Sequence, residues 1–397
     1  MFSRSEKILL SILACIQFSH IVDFMILMPL GPQLMRIFEI SPHQFGLLVS
    51  AYTLAAGLSG LLAAFFIDHF DRKKSLLFFY LGFGVGTIAC GLANSYTALL
   101  ITRSLTGAFG GVLSSLVLAI IADSISIDRR GSAIGITTSA FAVASVFGVP
   151  FSLSLADRFG WHSPFVFLGI VSVIVWIGIY FVMAPMKNHL IHRNKSGNPF
   201  HAFLHVFETP NLLYALGFMF FLVLGQFTII PFLSPSLVAN TGLPENQLKY
   251  IYLVGGIVSI FAAPTAGRLS DKWGRKKLFL YSALISIFPI LIITHLGPSP
   301  VAITLTSVAF FFLSMSGRMV PAMATISSAP QPKYRGSFMS ISSSVQQLSA
   351  AAASYIAGLI VVKDNEGHLL NYGTACFFAV ICTLFAIYFS RKVKVIS

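Results

Sequence analysis

The 397-residue chain is short of charge and shortest of acid: 10% of its residues are charged, with 13 Asp and Glu against 26 Lys and Arg. Soluble domains carry about 25% charged residues, so this composition excludes an ordinary soluble protein. There are four cysteines, Cys15, Cys90, Cys376 and Cys382, all in apolar stretches without paired spacing. That excludes a disulfide framework and a cysteine metal site, and no metal is expected. No glycine-rich phosphate loop and no nucleophile–base constellation occurs. Direct nucleotide use, a bound cofactor and enzyme activity are therefore not expected.

What the chain has in abundance is apolar sequence, at 56% hydrophobic residues. A bilayer core is spanned by about 20 apolar residues in a helix. Twelve such runs occur, near 8–30, 44–67, 75–93, 97–122, 132–155, 164–183, 211–233, 247–267, 278–295, 300–326, 337–361 and 370–390. The spacing predicts an all-α membrane protein of twelve transmembrane helices embedded in a lipid bilayer. The first run continues past Leu13-Ala14-Cys15 to Leu30 without a cleavage signal, so it reads as a span and not as a removed leader.

A net charge of +13 would suit a nucleic-acid partner, but its placement points elsewhere. With the N-terminus inside, the outer loops hold only Arg36, Arg158, Lys249 and Lys363, and Arg103 and Arg318 fall within apolar runs. The other basic residues all lie in inner segments. This bias predicts both termini on the cytoplasmic side of an inner membrane and no nucleic acid.

The longest polar interruption divides the runs six and six. It predicts a first bundle over 1–185, a cytoplasmic linker over 186–210 and a second bundle over 211–397. The linker ends in an apolar stretch, Phe200 to Phe207, that suits a short interfacial helix. His201 and His205 have the i, i+4 spacing of metal ligands, but no third ligand lies nearby.

The halves repeat. Asp68-His69-Phe70-Asp71-Arg72-Lys73-Lys74 and Asp271-Lys272-Trp273-Gly274-Arg275-Lys276-Lys277 stand 203 residues apart, after the second and eighth runs. Arg130-Gly131-Ser132 likewise matches Arg335-Gly336-Ser337. Parallel six-helix repeats with a cavity between them are a transporter architecture.

The segment from Gly267-Arg268-Leu269-Ser270-Asp271 through Lys277 resembles the loop signature of the major facilitator superfamily, Gly-x-Leu-x-Asp-Arg-x-Gly-Arg-Arg. The first-half copy departs from it, with Ala64 for Gly, Phe66 for Leu, His69 for Arg and Asp71 for the second Gly. Arg103-Ser104-Leu105-Thr106-Gly107 is similar to the family's Arg-x-x-Gln-Gly, with Thr106 in place of Gln. Gly148-Val149-Pro150 resembles the Gly-Pro of the fifth helix in the twelve-helix drug and metabolite:proton antiporters, with the proline displaced by one and Ser152-Leu153 for the following Gly-Gly. The resemblance covers essentially the whole chain and implies two pseudo-symmetric six-helix bundles. It also implies a hinge at Gly148 and Pro150, and a conformational latch at Asp68, Asp271 and Arg275. In that latch, carboxylates face helix N-termini of the opposite half, and Arg72 bridges to Asp123. A carboxylate near the positive end of a helix gains about 0.3–1 kcal/mol. The alternative is that these are topology charges and a tight turn.

Asp23 is the one carboxylate that no placement brings near water, and His20 lies three residues earlier on the same helical face. An acid at membrane depth faces a polar cavity or a partner and marks a pathway. Asp23 precedes the outer end of its run by about seven residues, roughly 10 Å at 1.5 Å per residue. Arg103 follows the outer end of the antiparallel fourth run by about six residues, roughly 9 Å. The depths agree, so the two are expected to face each other or to share a hydrated pocket, with Gln17 and His20 adding hydrogen bonds. Desolvation opposes ionisation of such an acid while an arginine favours it, and a pocket that dries and hydrates would shift that balance. A static ion pair is the other reading. Gln226 occupies the position equivalent to Asp23 in the second half, so protons are assigned to the first half and substrate more to the second.

Arg318 lies near the middle of the tenth run with no acid in the second-half runs. Either an anionic substrate group or carbonyls freed by Pro321 would partner it. Gln346 and Gln347 make polar walls, and Tyr52 lines an apolar part of the cavity. The reading is a monomeric secondary transporter working by alternating access. It would drive proton-coupled efflux of a small amphipathic or anionic organic molecule, with the proton gradient as energy source. Symport of an organic anion, or a non-transporting sensor or lipid-handling protein on the same scaffold, are the rivals.

Overall fold

The computed structural model describes residues 2–186, 199–331 and 334–395. Of the linker over 186–210, residues 187–198 fall outside those ranges. In chain order the helices are α1 (Arg4–Ile26), α2 (Gly31–Ile37), α3 (Pro42–Phe66), α4 (Arg72–Gly91), α5 (Tyr96–Ser124) and α6 (Ile127–Val143). They continue as α7 (Val149–Phe159), α8 (His162–Val182), α9 (Pro199–Glu208), α10 (Pro210–Phe227), α11 (Ile230–Thr241) and α12 (Leu248–Trp273). The last are α13 (Arg275–Thr294), α14 (Val301–Ser327), α15 (Arg335–Ile360) and α16 (Tyr372–Lys392). A two-residue antiparallel hairpin, β1 (Val362–Lys363) with β2 (Leu369–Leu370), joins the final pair. A helix satisfies every interior backbone N–H and C=O within itself, which is why apolar runs in lipid take this form.

Each of the twelve apolar runs is helical over most of its length. Eleven spans among the described residues are long and apolar enough to cross a membrane. The remaining run forms the 26-residue α15, whose serines and paired glutamines lower its hydropathy without shortening it.

Prolines account for the departures from simple spans. The first run was expected to stay helical to Leu30 but stops at Ile26, followed by a turn that carries Pro29. Proline lacks an N–H and disfavours helix in the residue before it. The seventh run is likewise divided between α10 and α11, with Pro231 at the start of the second piece. Between α6 and α7 the chain makes a π-helical turn over Ala144–Gly148. This widened turn sits where Pro150 cannot supply an N–H to the preceding turn.

By contact the chain forms two compact units, Met1–Ile26 with Ala51–His201, and Leu27–Ser50 with Ala202–Ser397. In the first, Leu13, Ile16, Tyr80, Leu113, Leu116 and Val117 belong to a fully buried core. Helix α5 approaches α3 at backbone distance: a Cβ on Gly107 would lie 2.3 Å from the Tyr52 carbonyl oxygen, and one on Gly111 2.1 Å from that of Ala56. Glycines four apart permit this approach, and it fixes where Tyr52 lies over α5.

The second unit takes in Leu27–Ser50, although chain order puts that segment with the first six runs. The cause is local packing. A Cβ on Gly46 would lie 2.7 Å from the Ser354 carbonyl, so α3 and α15 nearly touch there. Phe45 packs edge-on against Phe232, with centroids 5.7 Å apart. Arg36 pairs with Glu245 through both terminal guanidinium nitrogens, Nη1 and Nη2.

Candidate functional site

The first unit holds a polar cluster with no exposed charge. Asp23 on α1 and Arg103 on α5 are both completely buried, and Arg103 Nη1 donates to Asp23 Oδ2 at 2.9 Å. Among the described residues the other carboxylate oxygen, Oδ1, has only the Thr87 hydroxyl at 3.3 Å. That hydroxyl has a closer acceptor in the Phe83 carbonyl, at 2.9 Å. One hydroxyl carries one proton, so Oδ1 is weakly satisfied and can take up a proton while Oδ2 keeps its bond to Arg103.

Aromatic rings enclose the guanidinium. Its carbon lies 4.3 Å from the Tyr52 ring centroid and 5.8 Å from that of Phe165. An arginine over an aromatic face is held by the ring quadrupole. Phe24 stacks on Tyr52 at 5.6 Å. Tyr52, expected as a cavity wall, is thus wholly buried and part of the ion-pair cluster.

Several polar atoms in this cluster have no hydrogen-bond partner among the described residues: Arg103 Nε and Nη2, Tyr52 Oη and His20 Nε2. Buried polar groups are nearly always paired, by protein or by ordered water. His20 Nε2 and Tyr52 Oη converge on Gly110, whose absent Cβ would lie 3.0 Å from each.

These contacts form a register. Going toward the start of α1 in steps of three residues, Asp23, His20 and Gln17 oppose Arg103, Gly110 and Ser114 of the antiparallel α5. The third rung is a bond from Ser114 Oγ to Gln17 Oε1 at 3.4 Å. Three-residue and four-residue steps keep side chains on one helical face. Asp23 is fully buried, His20 is 8% exposed and Gln17 is half-buried, so the seam becomes more exposed toward the start of α1. Sequence reasoning paired Asp23 with Arg103 by depth but did not name Thr87, Gly110, Ser114 or Phe165. Small residues at three- and four-residue spacing beyond Arg103 were the available signal.

Of the two residues expected to form a hinge, Gly148 is the last of the π-helical turn and Pro150 lies two residues beyond it. A Cβ on Gly148 would lie 2.4 Å from the Val22 side chain, so the turn packs directly against α1 one residue from Asp23.

At the loop repeat, Arg72 Nε donates to Asp123 Oδ2 at 2.9 Å, with Arg72 buried. In the second unit Arg275 Nη1 instead reaches the Ala324 carbonyl at 3.1 Å and Ser328 Oγ at 2.5 Å. Ser328 lies 205 residues after Asp123, the separation of Arg130 and Arg335, so a hydroxyl stands where the first half has a carboxylate. Asp71, the departure from the motif's second Gly, caps α4 by accepting from the backbone N–H of Lys73 at 2.8 Å. Its counterpart Gly274 has φ +90°. The two copies make the same corner by different means. The Asp271 side chain is exposed. The side chains of Asp68 and His201 lie outside the described residues. The His205 ring packs 4.1 Å from that of Tyr334.

In the second unit Arg318 is 1% exposed on α14, and its Nη1 donates to Thr383 Oγ1 at 3.3 Å and to Ser286 Oγ at 3.4 Å. Its hydrogen bonds do not go to the carbonyls freed by Pro321. Gln226 on α10 and Gln346 and Gln347 on α15 are half-buried.

Comparison with known proteins is consistent throughout. The family model described as Major Facilitator Superfamily matches residues 13–235 and 216–397. The uncharacterized MFS-type transporter YceJ of Bacillus subtilis is 26% identical over 91% of this chain and 92% of its own. A bacterial homologue of the human lysosomal transporter Spinster, solved inward-facing and unoccupied, superposes with TM-score 0.77 at 18% identity over 99% of this chain and 98% of that one. The D-xylose–proton symporter superposes with TM-score 0.76 at 18% identity, over 98% and 99% respectively. With a family match over nearly its whole length, the chain belongs to the major facilitator superfamily and is a multi-pass membrane transporter.

Proposed function

We propose that this transporter couples export of a small organic molecule to proton entry, with Asp23 as the group that carries the proton. One observation supports it above the others: a fully buried carboxylate with one oxygen bonded to Arg103 and the other nearly free. Protonation at Oδ1 neutralises Asp23 and leaves Arg103 held by the Tyr52 face and by a weakened bond. The seam through His20 to Gln17 and Ser114 supplies polar atoms by which a proton leaves toward the inner side. Alternating access would expose that seam and the substrate to one side of the membrane at a time.

In this reading both termini are cytoplasmic, the membrane is an inner membrane and the working unit is a monomer. The Arg72–Asp123 and Arg275–Ser328 contacts brace helix ends at the loop motif, and Asp271 serves the latch. Gln226, Gln346 and Gln347 contribute polar walls for the substrate.

The test uses purified protein in proteoliposomes, with a trapped pH-sensitive dye and a compound selected by its stabilisation of the protein. An imposed proton gradient is expected to drive the compound against the direction of proton flow. In Asp23→Asn the driven component should fall to background while compound-for-compound exchange continues. Accumulation along the direction of proton flow would instead assign symport. An unchanged driven flux in Asp23→Asn would remove Asp23 from the mechanism.

A further inference from the structure

We propose that the side edge of Arg318, formed by Nε and Nη2, receives the carboxylate or phosphate of the transported molecule, which makes the substrate an organic anion. The chemistry of the site leads there in three steps. Arg318 is almost wholly buried, and only its Nη1 is engaged, by Ser286 and Thr383 at 3.3–3.4 Å. Those hydroxyls spend their own protons on the backbone, Ser286 on the Ala283 carbonyl at 2.7 Å and Thr383 on that of Ala379 at 2.9 Å. They therefore face the guanidinium as acceptors and fix its orientation.

The remaining two groups, Nε and Nη2, have no partner among the described residues. They are the two that point the same way from one edge of the guanidinium. Two parallel N–H donors match the two oxygens of a carboxylate or phosphate, and arginine binds such groups in this forked manner.

Charge makes the same demand. The acids of the second unit, Glu39, Glu208, Glu245, Asp271, Asp364 and Glu366, all lie at helix ends or in loops. None is within the apolar runs, and Arg318 makes no ion pair among the described residues. A buried cation without a counter-ion is costly, so an anion from outside the chain completes the site. Pro289 and Pro321 lie inside α13 and α14, three residues beyond Ser286 and Arg318. Proline removes a helix hydrogen bond and permits bending, which gives these helices a way to admit the anion.

The inference rests on the transport reading only in calling the anion a substrate; binding itself is independent of protons. The test is thermal unfolding of the full chain in dodecyl maltoside against matched pairs of a carboxylate and its neutral amide: benzoate with benzamide, hexanoate with hexanamide, and citrate with its triamide. At least one carboxylate is expected to stabilise the wild type saturably while its amide does not. Arg318→Gln should weaken that binding by about 10- to 100-fold, the range for losing a charge-assisted contact. Failure of every carboxylate to differ from its amide, or equal responses in wild type and Arg318→Gln, would overturn the proposal.

Should Arg318→Gln not fold, Arg318→Lys decides, because it keeps the charge and loses the fork. Weaker carboxylate binding supports the edge, and unchanged binding overturns it. A response that appears only after adding anionic phospholipid would assign the site to a lipid headgroup and also overturn it. Wild-type flux separates the two readings. Carboxylate binding without proton-driven flux counts against the proton reading alone, and proton-driven flux without carboxylate binding counts against the anion site alone.

Discussion

Among the described residues Arg103 and Arg318 are the most deeply buried cations of their units, each held through Nη1, and each with Nε and Nη2 unbonded. Their partners differ. Arg103 meets a carboxylate at 2.9 Å under an aromatic cover, whereas Arg318 meets two hydroxyls at longer range. A carboxylate can gain and lose a proton near its arginine, but hydroxyls whose protons are committed to the backbone cannot. On the proposed reading the same side chain serves a titrating pair in one half and a fixed positive receptor in the other. The repeat has been kept in architecture and divided in chemistry.

Stability should expose this division most strongly. Removing one partner of a buried ion pair strands the other, at a cost of about 3–5 kcal/mol, whereas replacing both by apolar residues is often near neutral. Arg103→Met is thus expected to lower the unfolding temperature in detergent sharply, and Arg103→Met with Asp23→Leu to recover most of the loss without recovering flux. Arg318→Met strands no charge, and is expected to be neutral or stabilising. If Arg318→Met costs as much as Arg103→Met, the contrast between the two sites fails.

The loop copies sharpen the comparison on a smaller scale. Gly274 has φ +90° and ψ 133°, so Gly274→Ala is expected to cost about 1–3 kcal/mol through backbone strain. Asp71 makes the equivalent corner with ordinary φ and a side-chain cap, so Asp71→Ala should cost about 1 kcal/mol and Asp71→Gly only a few tenths. Unfolding measurements in which Asp71→Gly proves the worst of the three would show that the two corners are not built as described.

Much of this was legible in the sequence, because lipid leaves helices few alternatives. The twelve runs, the family motifs and the shared depth of Asp23 and Arg103 all follow from hydropathy, spacing and helix rise. Less legible were features set by contact between distant segments. Thr87 and Phe165 reach the ion pair from α4 and α8 across 64 and 62 residues of chain, with nothing local to mark them. Leu27–Ser50 joins the second unit because Gly46 meets the backbone of α15, which composition does not signal. Ser286 and Thr383 look like ordinary helix residues until Arg318 is placed between them. Asp71 was visible only as a departure from a motif. Its meaning, a cap in place of a left-handed glycine, needed the backbone angles.

The most direct test of the central claim is infrared difference spectroscopy of the reconstituted protein, recorded on adding a transported compound. The stretching band of a protonated carboxyl group is expected to appear or vanish as the compound binds, and this change to be absent from Asp23→Asn. A wild-type spectrum with no such change, in a preparation that still carries out proton-driven transport, would contradict it.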